Sequence, residues 1–136
     1  MSGSITDALR NEIRKRAGDR CEYCLIHSDD VMLSHEVDHI VAIKHGGPTE
    51  IENLAWACFL CNRYKGSDIA SIDPNSDELS PLFHPRRDNW SEHFQLRHGQ
   101  ILGKSAAGRV TANLLQFNTV ESIQVRRLLQ STGRIP

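Results

Sequence analysis

Apolar positions recur every four residues near the start of the chain and predict an amphipathic helix over residues 5–17, because residues four apart share one face of an α-helix. The stripe consists of Ile5, Leu9, Ile13 and Ala17. Ser4 followed by Asp7 predicts a capped start, and Gly18 predicts the end of the helix.

Short stretches that are partly β-branched follow this helix and predict strands. Residues 31–33 and 36–43 are expected to pair as a hairpin, and residues 51–56 to add a further strand. A Gly-Gly-Pro loop at 46–48 separates the two regions. A short helix is then predicted over residues 58–65.

The second half of the chain has a different pattern. Three of the five prolines fall within residues 66–89, among Asp, Ser and Asn, which predicts an extended segment that wraps the first half. Residues 90–95 and 99–102 alternate in part and predict a β-hairpin. Helices are expected over 110–116 and 119–130. The pattern as a whole favours an α+β fold in one domain of residues 1–136, with residues 69–136 as the wrapping extension.

Composition narrows the possible functions. The chain has 136 residues, an apolar fraction of 39 % and a formal net charge of −1. The charge balance gives no polycation signal, so contact with nucleic acid must come from a local basic surface. The best candidate is the basic side of the first helix, with Arg14 and Lys15. We expect a cytoplasmic protein, since no apolar run is long enough to span a membrane and the N-terminus lacks a signal peptide's apolar core.

All four cysteines lie in two Cys-x-x-Cys pairs, which predict a zinc site. The pairs are Cys21 with Cys24 and Cys58 with Cys61. Four thiolates suit the tetrahedral preference of Zn²⁺, and paired cysteines in a reducing compartment indicate zinc rather than disulfides. The ion's role would be structural, because four protein ligands leave no position open. A redox pair or unrelated buried cysteines are the alternatives.

Between and beside the cysteine pairs lie residues suited to phosphodiester hydrolysis. His39 follows Asp38 directly, and Asn62 follows the last cysteine. A neutral imidazole can take a proton from water, while a carboxylate and an amide oxygen suit Mg²⁺. Adjacent side chains of a regular strand point to opposite faces, so a strand carrying Asp38 and His39 must end, twist or bulge there if both are to address one phosphate.

At this point the chain resembles the HNH endonuclease superfamily over roughly residues 10–68. The matching motifs are Arg20-Cys21-Glu22-Tyr23-Cys24, Glu36-Val37-Asp38-His39-Ile40-Val41, Gly46-Gly47, Glu52-Asn53-Leu54 and Cys58-Phe59-Leu60-Cys61-Asn62-Arg63-Tyr64-Lys65. The resemblance implies a ββα-metal core at residues 10–68. It implies that His39 is the general base, that Asp38 and Asn62 bind a catalytic Mg²⁺ or Mn²⁺, and that Asn53 braces the loop and orients His39.

The expected substrate is DNA, cleaved by nicking or by a double-strand break. Lys44 and Lys65 flank the expected cleft and are candidate phosphate contacts, although solvated lysines are an equal alternative. Arg63 follows Asn62 and is expected to project from the metal-binding helix toward the DNA backbone. Two rivals stay open: a non-catalytic zinc module that binds nucleic acid, and an enzyme acting on RNA. The second ranks lower because the sequence offers no clear aromatic platform for stacking single strands.

Overall fold

In a computed structural model that describes residues 4–135, the chain forms a small α+β structure of short elements. The helices and strands, in chain order, are α1 (Asp7–Arg16), β1 (Glu36–His39), β2 (Leu54–Ala57), α2 (Phe59–Lys65), β3 (Ala70–Ile72), β4 (Leu79–Pro81), α3 (Trp90–His93), β5 (Phe94–Arg97), β6 (Gln100–Gly103), α4 (Ala106–Leu114) and α5 (Val120–Ser131). The strands form three separate two-stranded antiparallel sheets, β1–β2, β3–β4 and β5–β6.

The predicted apolar stripe forms the inner face of α1. Ile13 is buried against Leu54 and Trp56 of β2, with the other members of the stripe packed around it. The helix begins later than predicted. Thr6, not Ser4, is the N-cap, since its hydroxyl accepts from the backbone N–H of Leu9 at 3.1 Å.

The predicted pairing of residues 31–33 with residues 36–43 is wrong. β1 pairs instead with β2, with Val37 opposite Trp56 and His39 opposite Leu54. Val37 joins the core of α1 and β2, whereas residues 31–33 have no buried face to hold a strand: Met32 is fully exposed. The pairing partner of β1 is therefore the strand that shares its buried apolar face, and not the segment nearest in sequence.

Helix α2 confirms the prediction for residues 58–65. Cys58 is its N-cap, and the Cys58 sulfur accepts from the backbone N–H of Cys61. The first cysteine turn, residues 21–24, attaches to the end of β2. Glu22 donates its backbone N–H to the Trp56 carbonyl at 2.8 Å, and its side chain accepts from the Trp56 N–H and pairs with Arg86.

From residue 70 onward the predictions hold for the helices better than for the strands. Residues 66–89 contain the β3–β4 hairpin where an extended segment was predicted, and residues 90–93 form the short helix α3 where a strand was predicted. The predicted hairpin is present, but its strands are β5 and β6, at 94–97 and 100–103, where 90–95 and 99–102 were predicted. α4 starts four residues earlier than predicted, and α5 confirms the prediction, with Thr119 as its N-cap.

Two compact units make up the structure. The first runs to Ile69 and includes His84–Arg86, and the second contains Ala70–Phe83 and the residues from Arg87 onward. The second unit has its own aromatic core, in which Phe94 lies 5.2 Å from Phe83 and 5.7 Å from Phe117, measured between ring centroids. None of the helices within residues 4–135 has both the length and the apolar character needed to cross a bilayer.

Candidate metal centre and active site

The four cysteines come together in the first unit. Their sulfurs all lie within 4.8 Å of one another, and each cysteine is buried. Backbone N–H groups point at two of the sulfurs: Cys24 donates to Cys21, and Cys61 donates to Cys58, each at 3.4 Å. Within the described residues this is the sole cluster of three or more His, Cys, Asp or Glu side chains close enough to share one ion.

The electrostatics of the cluster fit a bound cation. Hydrogen bonds from the Cys21, Cys24 and Cys61 thiols lower the pKa of Cys58 far below its usual value. The same contacts and burial raise the pKa of Cys24 and Cys61 well above theirs. Four buried sulfurs can therefore all be thiolates only if a positive charge lies among them, and a soft tetrahedral set of this kind suits zinc.

Asp38 lies in a buried network that reaches the first cysteine turn. One of its carboxylate oxygens accepts from the Tyr23 hydroxyl at 2.7 Å and the other from Lys65 Nζ at 3.1 Å. Burial raises the pKa of Asp38, and the Lys65 ammonium opposes that rise. Burial and the neighbouring carboxylate also raise the pKa of Tyr23, so its hydroxyl stays protonated and donates. Tyr23, between two of the cysteines, thus connects the cluster to Asp38.

His39 is the last residue of β1 and pairs with Leu54 of β2. Its side chain has a different environment from that of Asp38. Nε2 lies 2.9 Å from the Thr49 hydroxyl, and the ring is half-buried. The His39 carbonyl accepts from Lys65 Nζ at 3.0 Å. Lys65 therefore contacts both members of the Asp-His pair, the first through its side chain and the second through its backbone.

Asn53 holds the loop that follows His39. Its amide nitrogen donates to the carbonyls of Val41 and Pro48 at 2.9 and 2.8 Å, and its amide oxygen accepts from the Val41 N–H at 2.9 Å. The backbone carbonyl of Asn53 also accepts from the Ile40 N–H. These contacts are on the loop backbone and not on the His39 ring.

Asn62 is the central residue of α2 and contacts β1. Its amide nitrogen donates to the Glu36 carboxylate at 2.7 Å, an exposed contact that leaves the Asn62 amide oxygen as an acceptor. Glu36 and Asp38 are two residues apart on β1 and so project from the same face of the strand. Carboxylate and amide oxygens of this kind suit a hard divalent cation that keeps several waters.

Of the side chains predicted to contact nucleic acid, some are exposed and others are bound to groups within the protein. Lys44, Arg63 and Lys15 are exposed, whereas Arg14 is half-buried and lies 3.5 Å from Asp19. The prediction for Lys65 is wrong: it is 2 % exposed, and its ammonium is bound to Asp38 and the His39 carbonyl. Because Lys65 is buried and its ammonium donates to two acceptors inside the protein, it does not present its charge to a phosphate at the surface.

Other basic residues of α1 also serve the fold. Arg10 donates to the His35 carbonyl at 3.0 Å and lies over the Trp56 ring, 5.0 Å from its centroid. Arg16 donates to the carbonyls of Ile51 and Leu54. The basic side of α1 is therefore only partly available to a ligand.

Sequence reasoning assigned no role to three residues that contact the site: Tyr23, Glu36 and Thr49. Signals for the first two were present, since Tyr23 lies inside a cysteine pair and Glu36 lies two positions before Asp38. Thr49 carried no signal, because its contact with His39 exists only after the loop has turned back.

Part of the chain matches a known protein family. Residues 21–68 match the model of the family described as HNH endonuclease, which confirms the resemblance over that segment. The segment contains both cysteine pairs, His39, Asn53 and Asn62.

The chain is also similar to a curated protein. Septu protein PtuB of Bacillus thuringiensis is 25 % identical over 130 residues, which cover 93 % of this chain and 48 % of the relative. The chain thus spans about half the length of the curated protein it matches. No solved structure gives a significant match.

Proposed function

We propose that this protein is a metal-dependent HNH endonuclease that hydrolyses phosphodiester bonds in DNA. The observation that carries the proposal is the position of His39. It ends β1 with its ring only half-buried, next to Asp38, within the segment that matches the HNH family. An imidazole that is held at a strand end and is only half-buried is suited to take a proton from an attacking water.

In this proposal the other residues of the segment support His39. Asp38 and Asn62 would hold a Mg²⁺ or Mn²⁺ ion, whose charge would stabilise the negative phosphate and leaving oxygen. Glu36, bonded to the Asn62 amide, orients that side chain. Asn53 braces the loop after His39 through Val41 and Pro48.

The cysteine cluster has a separate role in the proposal. Cys21, Cys24, Cys58 and Cys61 would hold a structural zinc and fix the ends of the hairpin that lies between the two cysteine pairs, within a ββα-metal core at residues 10–68. Lys44, Arg63, Lys15 and Arg14 contact the DNA backbone by charge and not by base reading.

The His39→Ala variant tests the general base. It is expected to lower cleavage of supercoiled plasmid in Mg²⁺ or Mn²⁺ by at least about 100-fold, the lower end of what a positioned base contributes in many enzymes. Zinc content should match the parent, since His39 is not among the four clustered cysteines, and the thermal midpoint is measured to verify that the fold is retained. His45→Ala, a nearby exposed histidine in the same loop, serves as the matched control. Equal cleavage by His39→Ala and the parent would refute the assignment.

A second function, a zinc-stapled module that binds nucleic acid without cutting it, is favoured by one observation. Both Asp38 oxygens already accept hydrogen bonds inside the protein, and a metal must share or replace them. Plasmid binding without cleavage in Mg²⁺, Mn²⁺, Ca²⁺ or Co²⁺ would support this alternative. Nicked or linear products that require a divalent ion would exclude it.

A further inference from the structure

The loop between β1 and β2 places a hydroxyl against the proposed general base. Thr49 lies ten residues after His39, and its Oγ1 is 2.9 Å from His39 Nε2. Thr49 is half-buried, so this hydrogen bond is partly shielded from water. Within the described residues, His39 Nδ1 has no protein hydrogen bond, and the two ring nitrogens therefore differ in environment.

The backbone of the loop leaves Thr49 little freedom. Asn53 ties Val41 and Pro48 together through one amide nitrogen, and the Gly47 N–H donates to the Ala42 carbonyl at 3.1 Å. At Gly47 a Cβ atom would lie 1.8 Å from the Val41 carbonyl oxygen, so the two loop arms approach as closely as glycine permits. The residue after Pro48 is consequently held beside the end of β1.

We infer that Thr49 is a positioning residue for His39, a role that rests on the proposed nuclease function. A neutral imidazole has one N–H and one lone pair. When the Thr49 oxygen accepts from Nε2–H, the proton stays on Nε2 and the lone pair on Nδ1 is available to an attacking water. The same bond stops rotation of the ring about its Cβ–Cγ bond. Thr49 itself touches no reacting atom.

Three variants separate this role from a structural one. Thr49→Val has nearly the same volume without the hydroxyl, and Thr49→Ser keeps the hydroxyl without the methyl group. Thr132→Val is the matched control, since it removes a threonine hydroxyl at the end of α5 in the second unit. Full-length parent and variants are compared for plasmid cleavage rate, plasmid KM, thermal midpoint and zinc content.

The expected result for Thr49→Val is a fall of about 10- to 100-fold in kcat, in line with the effect of small misplacements of catalytic groups. KM should stay within about twofold, because uniform substrate binding is not removed. Thr49→Ser should recover most of kcat, and Thr132→Val should equal the parent. A Thr49→Val variant with the parent's kcat would overturn the inference.

A spectroscopic measurement makes the outcome independent of cleavage. The parent should show a slowly exchanging His39 Nε2–H proton in its ¹H–¹⁵N spectrum, assigned by its absence in His39→Ala. Thr49→Val should lose this resonance and Thr49→Ser should keep it. Its absence in the parent, or a proton on Nδ1, would refute the hydrogen bond itself. A parent with the resonance but no cleavage in any metal would instead show that the proposed function has failed.

Discussion

Single residues of the first unit serve more than one purpose, and Lys65 is the clearest case. Its side chain is buried, and its ammonium donates to the Asp38 carboxylate and to the His39 carbonyl. A desolvated ion pair costs free energy to bury and repays it only when its hydrogen bonds are complete. Here Tyr23 supplies a donor to the other Asp38 oxygen, so both carboxylate oxygens accept a hydrogen bond. Lys65 thereby holds the Asp38 carboxylate and the His39 backbone in place.

Removal of the Lys65 ammonium should therefore destabilise the fold, because the Asp38 carboxylate would stay buried without its ion-pair partner. Lys65→Met is expected to lower the free energy of unfolding at pH 7 by about 3–5 kcal/mol, the usual loss when one partner of a buried pair is removed. Urea unfolding followed by tryptophan fluorescence gives the value. The double variant Asp38→Asn/Lys65→Met, which leaves no charge behind, should recover a large part of the loss.

The loss should also depend on pH in a defined direction. Burial already raises the pKa of Asp38 in the folded parent, and removal of the ammonium raises it further. A carboxyl with a raised folded-state pKa binds its proton more tightly when folded, so acid favours the fold and the penalty grows as pH rises through that pKa. The gap between Lys65→Met and the parent should hence shrink from pH 7 to pH 5. A constant gap would contradict the account.

At the scale of elements, the β3–β4 hairpin was not predicted because its formation depends on its turn and not on a hydrophobic period. The β3–β4 hairpin has strands of three residues, too short for a pattern of alternation to be recognised. Its turn is closed by Asp73, which is buried, accepts from the Asn75 N–H and the Ser76 hydroxyl, and receives two bonds from the Arg109 guanidinium at 2.9 and 2.8 Å. This carboxylate joins the hairpin to α4, a contact between residues 36 positions apart.

The Asp73–Arg109 contact predicts how the second unit responds to acid. The Arg109 guanidinium holds the pKa of Asp73 well below its usual range. A carboxyl with a lowered folded-state pKa contributes stability that is present above its unfolded pKa, about 3.9, and is lost as pH falls toward the folded value. The urea midpoint of the parent should therefore drop steeply between about pH 5 and pH 2.5.

Asp73→Asn tests this account. The variant should be less stable than the parent at pH 7, and its urea midpoint should vary less with pH below about pH 5. Asp77→Asn, an exposed aspartate in the same turn, is the control and should keep the parent's profile. Equal pH profiles for Asp73→Asn and the parent would show that the ion pair does not set the acid response.

At the scale of the whole molecule, the cysteine cluster joins distant parts of the first unit. Cys21 and Cys61 are 40 positions apart in sequence, and β1, β2 and the loop carrying Thr49 lie between them. The apolar core of this unit is small, with Ile13, Leu54 and Trp56 at its centre. A metal that joins both ends of such a segment couples its binding to folding.

Loss of one cysteine should consequently unfold the first unit. Zinc-finger peptides gain about 10–16 kcal/mol from their metal, as much as the whole stability of about 5–15 kcal/mol of a typical small protein. Cys58→Ser removes a ligand while serine remains able to cap α2. We expect lost zinc by elemental analysis and faster amide hydrogen exchange in residues 20–65.

A chelator provides the control for that variant. Treatment of the parent should reproduce the hydrogen exchange of Cys58→Ser, and the variant itself should not respond. Unchanged exchange in Cys58→Ser would show that the cluster does not hold this unit together.

The sequence by itself determined the parts whose signal is local. These parts are the four-residue stripe of α1, the helix after Cys58, the two Cys-x-x-Cys pairs and the HNH motifs. All depend on spacing along the chain, because residues on one helix face, and cysteines that share one metal ion, recur at fixed intervals in sequence. The tertiary structure alone decided which strand pairs with β1, that Lys65 is buried against Asp38, and that Thr49 reaches His39. Those contacts join residues 10 to 27 positions apart and depend on which apolar faces are buried together, a property that no local pattern contains.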